Sequence, residues 1–486
     1  MEFASVAFLV VPLIMALIWF LLPTKSSKHL IVSYAVVYLL VWAVACYMWF
    51  TGVQSDTQLF LLDEHTLIFV MLIFVLSFLI SRYARSYFGI EMRHGAIEEP
   101  KLKEYLAYSN LFIFSMVFAA ISKNLMLSWV ALEATTIFTT FLISFYGKRT
   151  SREAAWKYVI ICWIGLTIGL LGLFMLIYAG INTLDYTAIN PFAEINVNLV
   201  KFAFLFVFVG VGTKVGFFPL HTWLPDAHGK WSTPISAFMS SILLPLALFF
   251  VYNTKGIVDT MLWSTEFTSW LFILFALLTI GYVGVAMIVQ RHMKRALAYS
   301  SSENMWILAL ALGLGTPLAM KLFVIHLIGH SFLKSAAFMS VGSVLINRQT
   351  GRFENLSHIL KDLRVSGILL IVSLILLVGL PIWPLFFTEV GIALEAFKVN
   401  PRYAVVFMLG IVGVFAGILY NFSKIFLAKD GEEETHHDTS HDTSHDTSHD
   451  TSHDTIGGHE RLQTIHRPII LCLVLGIATS LLFFVL

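Results

Sequence analysis

Charge is scarce in this chain, and so is cysteine. Only 13% of its 486 residues are charged, the net charge is +1, and three cysteines occur. A chain so close to neutral gives no basis for nucleic-acid binding. Cys46, Cys162 and Cys472 are scattered through apolar segments without disulfide logic or metal-ligand spacing, and no glycine-rich nucleotide turn is present. The sequence therefore predicts that this chain binds no flavin, nickel or iron–sulfur cluster.

Apolar residues dominate what remains. They make up 58% of the chain, the mean hydropathy is +0.81, and runs long enough to cross a bilayer recur along the whole length. This composition predicts an all-α integral membrane protein surrounded by lipid. The first apolar segment lacks a basic start and a small-residue cleavage site, which favours a span over a signal peptide. About fourteen spans are predicted, at residues 3–22, 30–51, 63–81, 105–122, 124–146, 156–180, 200–228 (broken), 233–254, 266–290, 296–314, 318–346, 365–396 (broken), 403–427 and 468–486.

Lysine and arginine are unequally distributed between alternate loops. Of the 31 such residues, 23 fall in one set of loops, whereas Lys214 and Lys334 lie inside spans. The positive-inside rule places the richer set in the cytoplasm and both termini on the outer side. The alternation also supports the number of spans, because a missed span would scramble it. The poorer set contains six residues: Lys123, Lys201, Lys255, Lys321, Lys398 and Arg402.

The last cytoplasmic loop, residues 428–467, is the one polar stretch. Three glutamates at 432–434 precede an Asp-Thr-Ser-His repeat from Asp438 to His453, and eight of the 17 histidines lie between His436 and His466. Such composition is typical of a disordered linker. The alternative is weak metal or proton buffering by histidine and aspartate. A flexible repeat offers no fixed ligand geometry, so we predict no metal site.

Ionisable residues inside or beside spans are the strongest functional signal. Because a charge in the bilayer is unfavourable, such residues mark ion or proton pathways. Lys214 is the most informative, since Gly212, Gly216 and Pro219 around it predict a broken helix of the kind that lines transport cavities. We predict no catalytic residue. The candidates for a proton pathway are Glu133, Lys214, His221, Asp226, His228, Glu303, His326, His330, Lys334 and Glu389.

The eleventh predicted span carries three of these residues at regular spacing. His326, His330 and Lys334 are four residues apart, which stacks them on one helix face. Imidazole titrates near physiological pH, and burial makes a lysine release its proton more easily. The spacing therefore favours a proton relay, and the alternative is a packing face whose histidines bond to the backbone.

Glu133 and Lys214 lie two spans apart and could balance each other's charge. A proton reaching the lysine would change how strongly the two attract, which would make them a switch. The alternative is a static ion pair that holds helices in register.

Two groups of five spans resemble each other in the placement of helix breakers. Lys214 lies near Gly216 and Pro219 in span 7, and Glu389 follows Pro381 and Pro384 in span 12. An odd offset reverses membrane orientation, so spans 4–8 and 9–13 are predicted to form an inverted-topology pair. The predicted organisation is three N-terminal spans (1–104), a first repeat (105–255), a second repeat (256–427), the polar loop (428–467) and a last span (468–486).

Four motifs surround the ionisable residues of the first repeat: Trp-Val-Ala-Leu-Glu-Ala-Thr (129–135), Gly-Thr-Lys-Val-Gly (212–216), Pro-Leu-His-Thr-Trp-Leu-Pro-Asp-Ala-His (219–228) and Thr-Pro-Ile-Ser-Ala (233–237). They resemble motifs of the antiporter-like, proton-translocating membrane subunits of respiratory complex I, multisubunit sodium/proton antiporters and energy-converting hydrogenases. The resemblance covers spans 4 to 13. The runs at 133–136, 153–158, 301–304 and 326–334 most resemble hydrogenase-4 component F.

The resemblance implies a role for each matching residue. Glu133 resembles the carboxylate of the fifth span, which is thought to pair with the lysine that Lys214 resembles. The row at 326–334 resembles the central relay, and Glu389 resembles the group that hands the proton to the outer side. One position departs from the family. Members often carry lysine in a Leu-Leu-Lys context in the eighth span, where this chain has Pro245. Either water or His228 bridges the half-channels there, or the link between them does not work as it does in those members.

The resemblance further implies a bacterial or archaeal cytoplasmic membrane, other antiporter-like membrane subunits as partners, and a peripheral redox arm that holds the redox cofactors. The expected function is proton translocation within an energy-converting hydrogenase, formate hydrogenlyase or complex I-like assembly. Three alternatives stay open: a cation/proton antiporter subunit, a proton-coupled membrane partner for inorganic-carbon uptake, and a structural anchor that has lost conduction.

Overall fold

The protein is a bundle of helices with one small hairpin. The computed structural model describes residues 2–21, 27–181, 183–356, 359–380, 383–426 and 463–485. The hairpin pairs β1 (Ser55–Asp56) with β2 (Leu61–Leu62) in antiparallel register. The α-helices are α1 Glu2–Leu21, α2 Ser27–Thr51, α3 Glu64–Arg93, α4 Glu99–Ile121, α5 Leu125–Ile143, α6 Arg149–Tyr178, α7 Val197–Val215, α8 Trp223–Lys230, α9 Thr233–Phe238, α10 Leu244–Leu262, α11 Glu266–Ile288, α12 Met293–Leu314, α13 Pro317–Arg348, α14 Ile359–Asp362, α15 Arg364–Leu377, α16 Pro384–Val399, α17 Pro401–Phe426 and α18 His466–Val485.

The predicted all-α membrane fold is confirmed. Each predicted span coincides with one helix or with a pair of consecutive helices. Ten helical stretches of the described chain are long and apolar enough to cross a membrane, and three shorter apolar helices lie at Ala35–Thr51, Arg364–Leu377 and His466–Thr479. The helix α12 carries a polar run at residues 300–304. The number of fourteen crossings stays a prediction.

Helix ends follow from local side-chain chemistry. Asp63 caps α3 through a capping box, since its carboxylate accepts from the Thr66 backbone N–H at 2.8 Å while the Thr66 hydroxyl accepts from the Asp63 N–H. Asn124 caps α5, and Thr316 caps α13 ahead of a proline at the first helical position. Several helices run past the predicted spans, as α3 does to Arg93, because helical hydrogen bonding continues where the apolar run stops.

Two interruptions divide predicted spans as expected. The first separates α7 from α8 at Gly216, whose φ of 88° is left-handed, and the second follows α15 at Gly379, with φ of 68°. A residue without a Cβ adopts these angles easily. Both breaks lie next to an ionisable side chain, Lys214 in the first and Glu389 in the second. A third irregularity was not predicted: residues Met239–Leu243 form a π-helix between α9 and α10.

The bundle is apolar both inside and outside. Buried aromatic and aliphatic side chains fill the interior, and large apolar side chains such as Trp163 and Phe174 of α6 are more than half exposed on the outside. This inside-and-out apolar character is what a lipid-surrounded bundle requires. Close packing of α6 on α7 depends on Gly165 and Gly210, where an added Cβ would collide with the facing helix.

The His/Asp-rich repeat from Asp438 to His453 lies outside the described residues. The three cysteines are described, and all three are free thiols.

Candidate functional site

Lys214 lies on the last turn of α7, two residues before the break at Gly216. The break leaves the Thr213 carbonyl without a helical donor, and the Trp223 indole Nε1 donates to it at 2.8 Å. The Phe217 N–H instead donates to the Gly212 carbonyl at 3.1 Å. The lysine side chain itself is completely buried. The interrupted helix therefore holds an ammonium group in the interior of the bundle.

Neutral oxygens of α5 bind this ammonium. Lys214 Nζ donates to the Leu132 carbonyl oxygen at 2.8 Å and to Thr136 Oγ1 at 2.6 Å. Glu133 is the neighbour of Leu132, and the two charges are close enough to interact electrostatically. However, the Glu133 Oε2 atom is buried without a hydrogen-bond partner among the described residues. In this conformation the two residues are neighbours, but the lysine bonds to the backbone and a hydroxyl group.

A second cluster joins α12 and α13. Lys334 Nζ donates to Ser300 Oγ at 2.9 Å, and Ser300 Oγ lies 3.2 Å from Glu303 Oε2. All three side chains are buried. One hydroxyl group can accept from an ammonium and donate to a carboxylate at the same time. The contacts therefore form a continuous hydrogen-bonded chain between two ionisable groups on neighbouring helices.

His330 faces the π-helical segment. Its Nε2 lies 3.3 Å from the Ser240 carbonyl oxygen, and its Nδ1 is buried without a partner among the described residues. Because a carbonyl oxygen only accepts, Nε2 must carry the hydrogen of this bond.

His326 connects three helices. Its Nε2 lies 3.1 Å from Asn304 Oδ1 on α12, and its Nδ1 lies 2.8 Å from Thr388 Oγ1 on α16. Thr388 is followed by the buried Glu389. The carboxyl group of Glu389 occupies the space beside Gly379, where an added Cβ would lie 3.0 Å from its Cδ atom. The second helix break thus gives room to the last carboxylate of the predicted pathway.

The segment after Lys214 contains two buried histidines, His221 and His228, and the partly exposed Asp226. His228 is fully buried and its ring stacks on Phe338 of α13 at 4.9 Å. His221 is buried against the ring of Tyr282 at 4.8 Å. None of the four ring nitrogens has a hydrogen-bond partner among the described residues. Both imidazoles therefore lie in the interior with polar atoms that water can satisfy.

Asp226 does not join the buried groups. It is about one-third exposed, and its carboxylate lies 2.7 Å from the Arg295 guanidinium and 3.8 Å from Lys157 Nζ. Asp226 and His228 are two positions apart on α8, so they project from different faces of the helix. Asp226 instead lines a cavity of about 340 Å³ together with Lys230 and Lys294.

Polar side chains without a hydrogen-bond partner in the described part of the chain lie beside the break after Lys214 and on the helices that follow it. Ser302 Oγ of α12 would lie 3.5 Å from a Cβ placed at Gly216. Ser302 Oγ, Ser236 Oγ and both nitrogens of His228 are buried and have no hydrogen-bond partner among the described residues. Buried polar atoms of this kind are binding positions for water.

Small polar residues at the centre of the site were not predicted from the sequence. Ser300, Asn304 and Thr388 form the contacts between the predicted ionisable groups. Their signal is weak because serine and threonine are common in membrane helices, where they bond to the preceding turn. Only the helix packing distinguishes them. Within the described residues, no group of three His, Cys, Asp or Glu side chains is placed to hold a metal ion.

Comparison with known proteins agrees with this architecture. The family described as NADH:quinone oxidoreductase/Mrp antiporter, transmembrane, matches residues 122–415. A hydrogenase-4 component F homolog of Methylacidiphilum infernorum is 30% identical over 368 residues, which are 74% of this chain and 77% of that protein. NADH-quinone oxidoreductase subunit L of Neisseria meningitidis serogroup B is 26% identical over 407 residues, 80% of this chain and 58% of the relative.

Solved structures share the fold at lower identity. A chain of the archaeal membrane-bound sulfane sulfur reductase gives a TM-score of 0.81 at 20% identity, covering 99% of this chain and 94% of that one. A chain of the Mrp complex from Dietzia sp. also gives 0.81, at 17% identity, with 100% and 96% covered. The matched region contains the buried ionisable residues on α7, α12, α13 and α16 and the partly buried Glu133 on α5. The chain is a multi-pass membrane protein and belongs to the NADH:quinone oxidoreductase/Mrp antiporter transmembrane family.

Proposed function

We propose that this chain is the proton-translocating membrane subunit of a multisubunit redox complex. The complex would be an energy-converting nickel–iron hydrogenase of formate hydrogenlyase type or a complex I-like enzyme. The observation that carries the proposal is the set of buried contacts around α13: Lys334 through Ser300 to Glu303, and His326 to Thr388 beside Glu389. Ionisable side chains buried in a membrane bundle and joined through exchangeable hydroxyl groups are what proton transfer requires.

The first step takes place at Lys214. An ammonium held by two neutral oxygens is stabilised less than one paired with a carboxylate, so the lysine is poised to change partner. Movement of Glu133 towards Nζ would favour the charged lysine, and withdrawal would favour release of its proton. A conformational or charge change delivered by the redox partner would therefore act on this pair. Of the two alternatives for Glu133 and Lys214, a switch and a static ion pair, we therefore propose the switch.

The proton would then cross the centre of the bundle. Water bound between His228 and Ser302 would connect Lys214 with the cluster on α12 and α13. Lys334 would receive the proton, with His330 beside it, and the chain of Ser300, Glu303, His326 and Thr388 would pass charge towards Glu389 at the second break. His221 would serve the uptake side with His228. Asp226, which is paired with Arg295, would help to shape the protein surface rather than carry the proton.

The inverted repeat is part of the proposal. Equivalent helix pairs pack in both halves: α5 and α7 pack on α6, while α12 and the broken pair α15 and α16 pack on α13. Each half has one broken helix with an ionisable residue at the break. We place the first repeat at 105–255 and the second at 256–427, with both termini on the outer side of a bacterial or archaeal cytoplasmic membrane.

The partners would be other antiporter-like membrane subunits and a peripheral arm that carries all redox cofactors. Gentle purification of the native complex, followed by identification of its subunits and metals, tests this assignment. Nickel and iron with a hydrogenase-like subunit would support the hydrogenase assignment, and flavin with a quinone-reactive subunit would support the complex I-like one. A complex without any redox group would refute the redox assignment.

A cation/proton antiporter subunit is the second candidate. It is favoured by the family description, which includes Mrp antiporters. Proton movement in vesicles that depends on added sodium or potassium, without an electron donor, would identify it.

A further inference from the structure

Pro245 occupies the position where the family resemblance leads us to expect lysine, and it has a structural consequence of its own. Residues Met239–Leu243, which end two positions before it, form a π-helix, and the Leu244 N–H donates to the Met239 carbonyl five residues earlier. Proline has no N–H group. It therefore cannot donate to the carbonyl groups of Ser240 and Ser241, which lie five and four residues before it.

Both of these carbonyl groups are bound from α13. The Ser240 carbonyl accepts from His330 Nε2 at 3.3 Å, and that of Ser241 lies 2.8 Å from the hydroxyl of Ser331. The Ser331 hydroxyl is equally close to the Leu327 carbonyl and can serve only one of the two at a time. His330 has no such choice, because its other ring nitrogen lacks any partner among the described residues.

We propose that Pro245 is a positioning residue that fixes the tautomer of His330. By leaving the Ser240 carbonyl without a helical donor, it gives the ring an acceptor that only an N–H can satisfy. The neutral ring then carries its hydrogen on Nε2, and Nδ1 is the only nitrogen able to accept a proton. The inference rests on the proposed proton pathway and specifies how one member of it works.

This arrangement restricts what His330 can do. A ring that relays a proton from one side to the other needs an exchangeable partner on each nitrogen. The partner of Nε2 is a peptide carbonyl, which does not take over the proton. A proton that binds at Nδ1 therefore leaves again from Nδ1, and His330 holds a proton beside Lys334 instead of passing it across the ring. His326 differs, because its Nδ1 bonds to the Thr388 hydroxyl.

The test reads the ring nitrogens directly. The native complex is prepared with ¹⁵N-labelled histidine, and the signals of His330 are assigned by their loss in His330→Gln. Solid-state NMR separates a protonated from an unprotonated ring nitrogen. We expect Nε2–H and unprotonated Nδ1 in the unaltered protein, and finding the hydrogen on Nδ1 in the neutral ring would overturn the inference even if Pro245→Ala does not assemble.

The variant Pro245→Ala restores an N–H that can bond to the preceding turn. We expect the fraction of His330 rings with the hydrogen on Nδ1 to rise about fivefold, the factor that corresponds to one neutral hydrogen bond. Pro12→Ala, in the middle of α1, is the matched control and should leave the spectrum unchanged. An unaltered tautomer ratio in Pro245→Ala would refute the role of the proline.

Proton translocation is measured on the same preparations, so that failure of the proposed function can be distinguished from failure of the proposed role of Pro245. A complex that moves no protons but shows the expected tautomer would refute the proposed function alone. A complex that moves protons with His330 in the other tautomer would refute only the role of Pro245.

Discussion

Replacing Lys214 by methionine is expected to stop proton translocation while the complex still assembles. Methionine has nearly the length of lysine without its charge, so the packing between α5 and α7 is retained. The lysine makes two buried hydrogen bonds, to the Leu132 carbonyl and the Thr136 hydroxyl. No other group at this position can bind a proton in the variant.

The effect on stability can be worked out from these contacts. Losing two hydrogen bonds from a charged donor costs about 1.5–3 kcal/mol each. Removing a buried ammonium relieves a desolvation penalty of several kcal/mol. These terms oppose each other, so we expect a net change within ~2 kcal/mol. Function should respond far more strongly, because loss of a group that transfers protons lowers rates by about 10²-fold or more.

The assay uses the purified complex in sealed proteoliposomes with a pH-sensitive dye and its electron donor. Lys201→Met is the matched control, since Lys201 lies on the same helix, partly exposed, with its ammonium 5.7 Å from the Phe267 ring. The variant Lys214→Arg tests whether charge alone is sufficient, because a guanidinium keeps the charge but does not release its proton. We expect this variant also to lose proton translocation. Full proton translocation by Lys214→Met at unchanged donor oxidation would refute the reasoning.

Three further predictions concern other parts of the structure. Ser300→Ala removes the hydroxyl bridge on α12, and we expect proton translocation to fall about tenfold, as for one lost hydrogen bond to a charged group; a rate equal to the unaltered protein would contradict the bridge. Gly379→Ala places a Cβ against the carboxyl group of Glu389 in a left-handed conformation, so we expect destabilisation by about 1–2 kcal/mol and slower proton release, measured by thermal denaturation and the same dye assay. Hydrogen bonding to Asp56, at 2.7 Å, raises the pKa of Lys123 on the loop before α5, so the contribution of Lys123 to stability is present at neutral pH and is lost as pH rises above the usual range of lysine. Asp56→Asn should lower the melting temperature by no more than about 2 °C, equally between about pH 6 and 9, where an ordinary aspartate is ionised and lysine is protonated; a difference that disappears within this range would contradict this assignment.

The sequence predicts the helices of this protein well because the bilayer imposes one strong constraint. An apolar run of about 20 residues has no other stable structure in lipid. Both broken helices could also be predicted, since glycine and proline next to an ionisable residue leave little choice. Helix ends were less predictable. The helix α6 begins at Arg149 and α3 ends at Arg93, so both helices include charged residues beyond the apolar run from which the span was predicted.

The contacts of the site depend on helix rotation, which sequence does not give. Lys214 bonds to the backbone next to Glu133 and not to its carboxylate. Asp226 belongs to a motif shared with the family, yet it lies on the outer face of α8 and pairs with Arg295. In the sequence, Pro245 is recognisable only as a residue that differs from the lysine expected at this position. Its effect on His330 becomes visible through the carbonyl of Ser240 on a π-helix, a feature that no periodicity predicts.

The most direct test of the central claim is the proton stoichiometry of the native complex during redox turnover in sealed vesicles. We expect a pH change that accompanies electron transfer, exceeds the protons of the redox chemistry itself, and collapses when a protonophore is added. Electron transfer at full rate without any excess proton movement would contradict a proton-translocating role for this subunit.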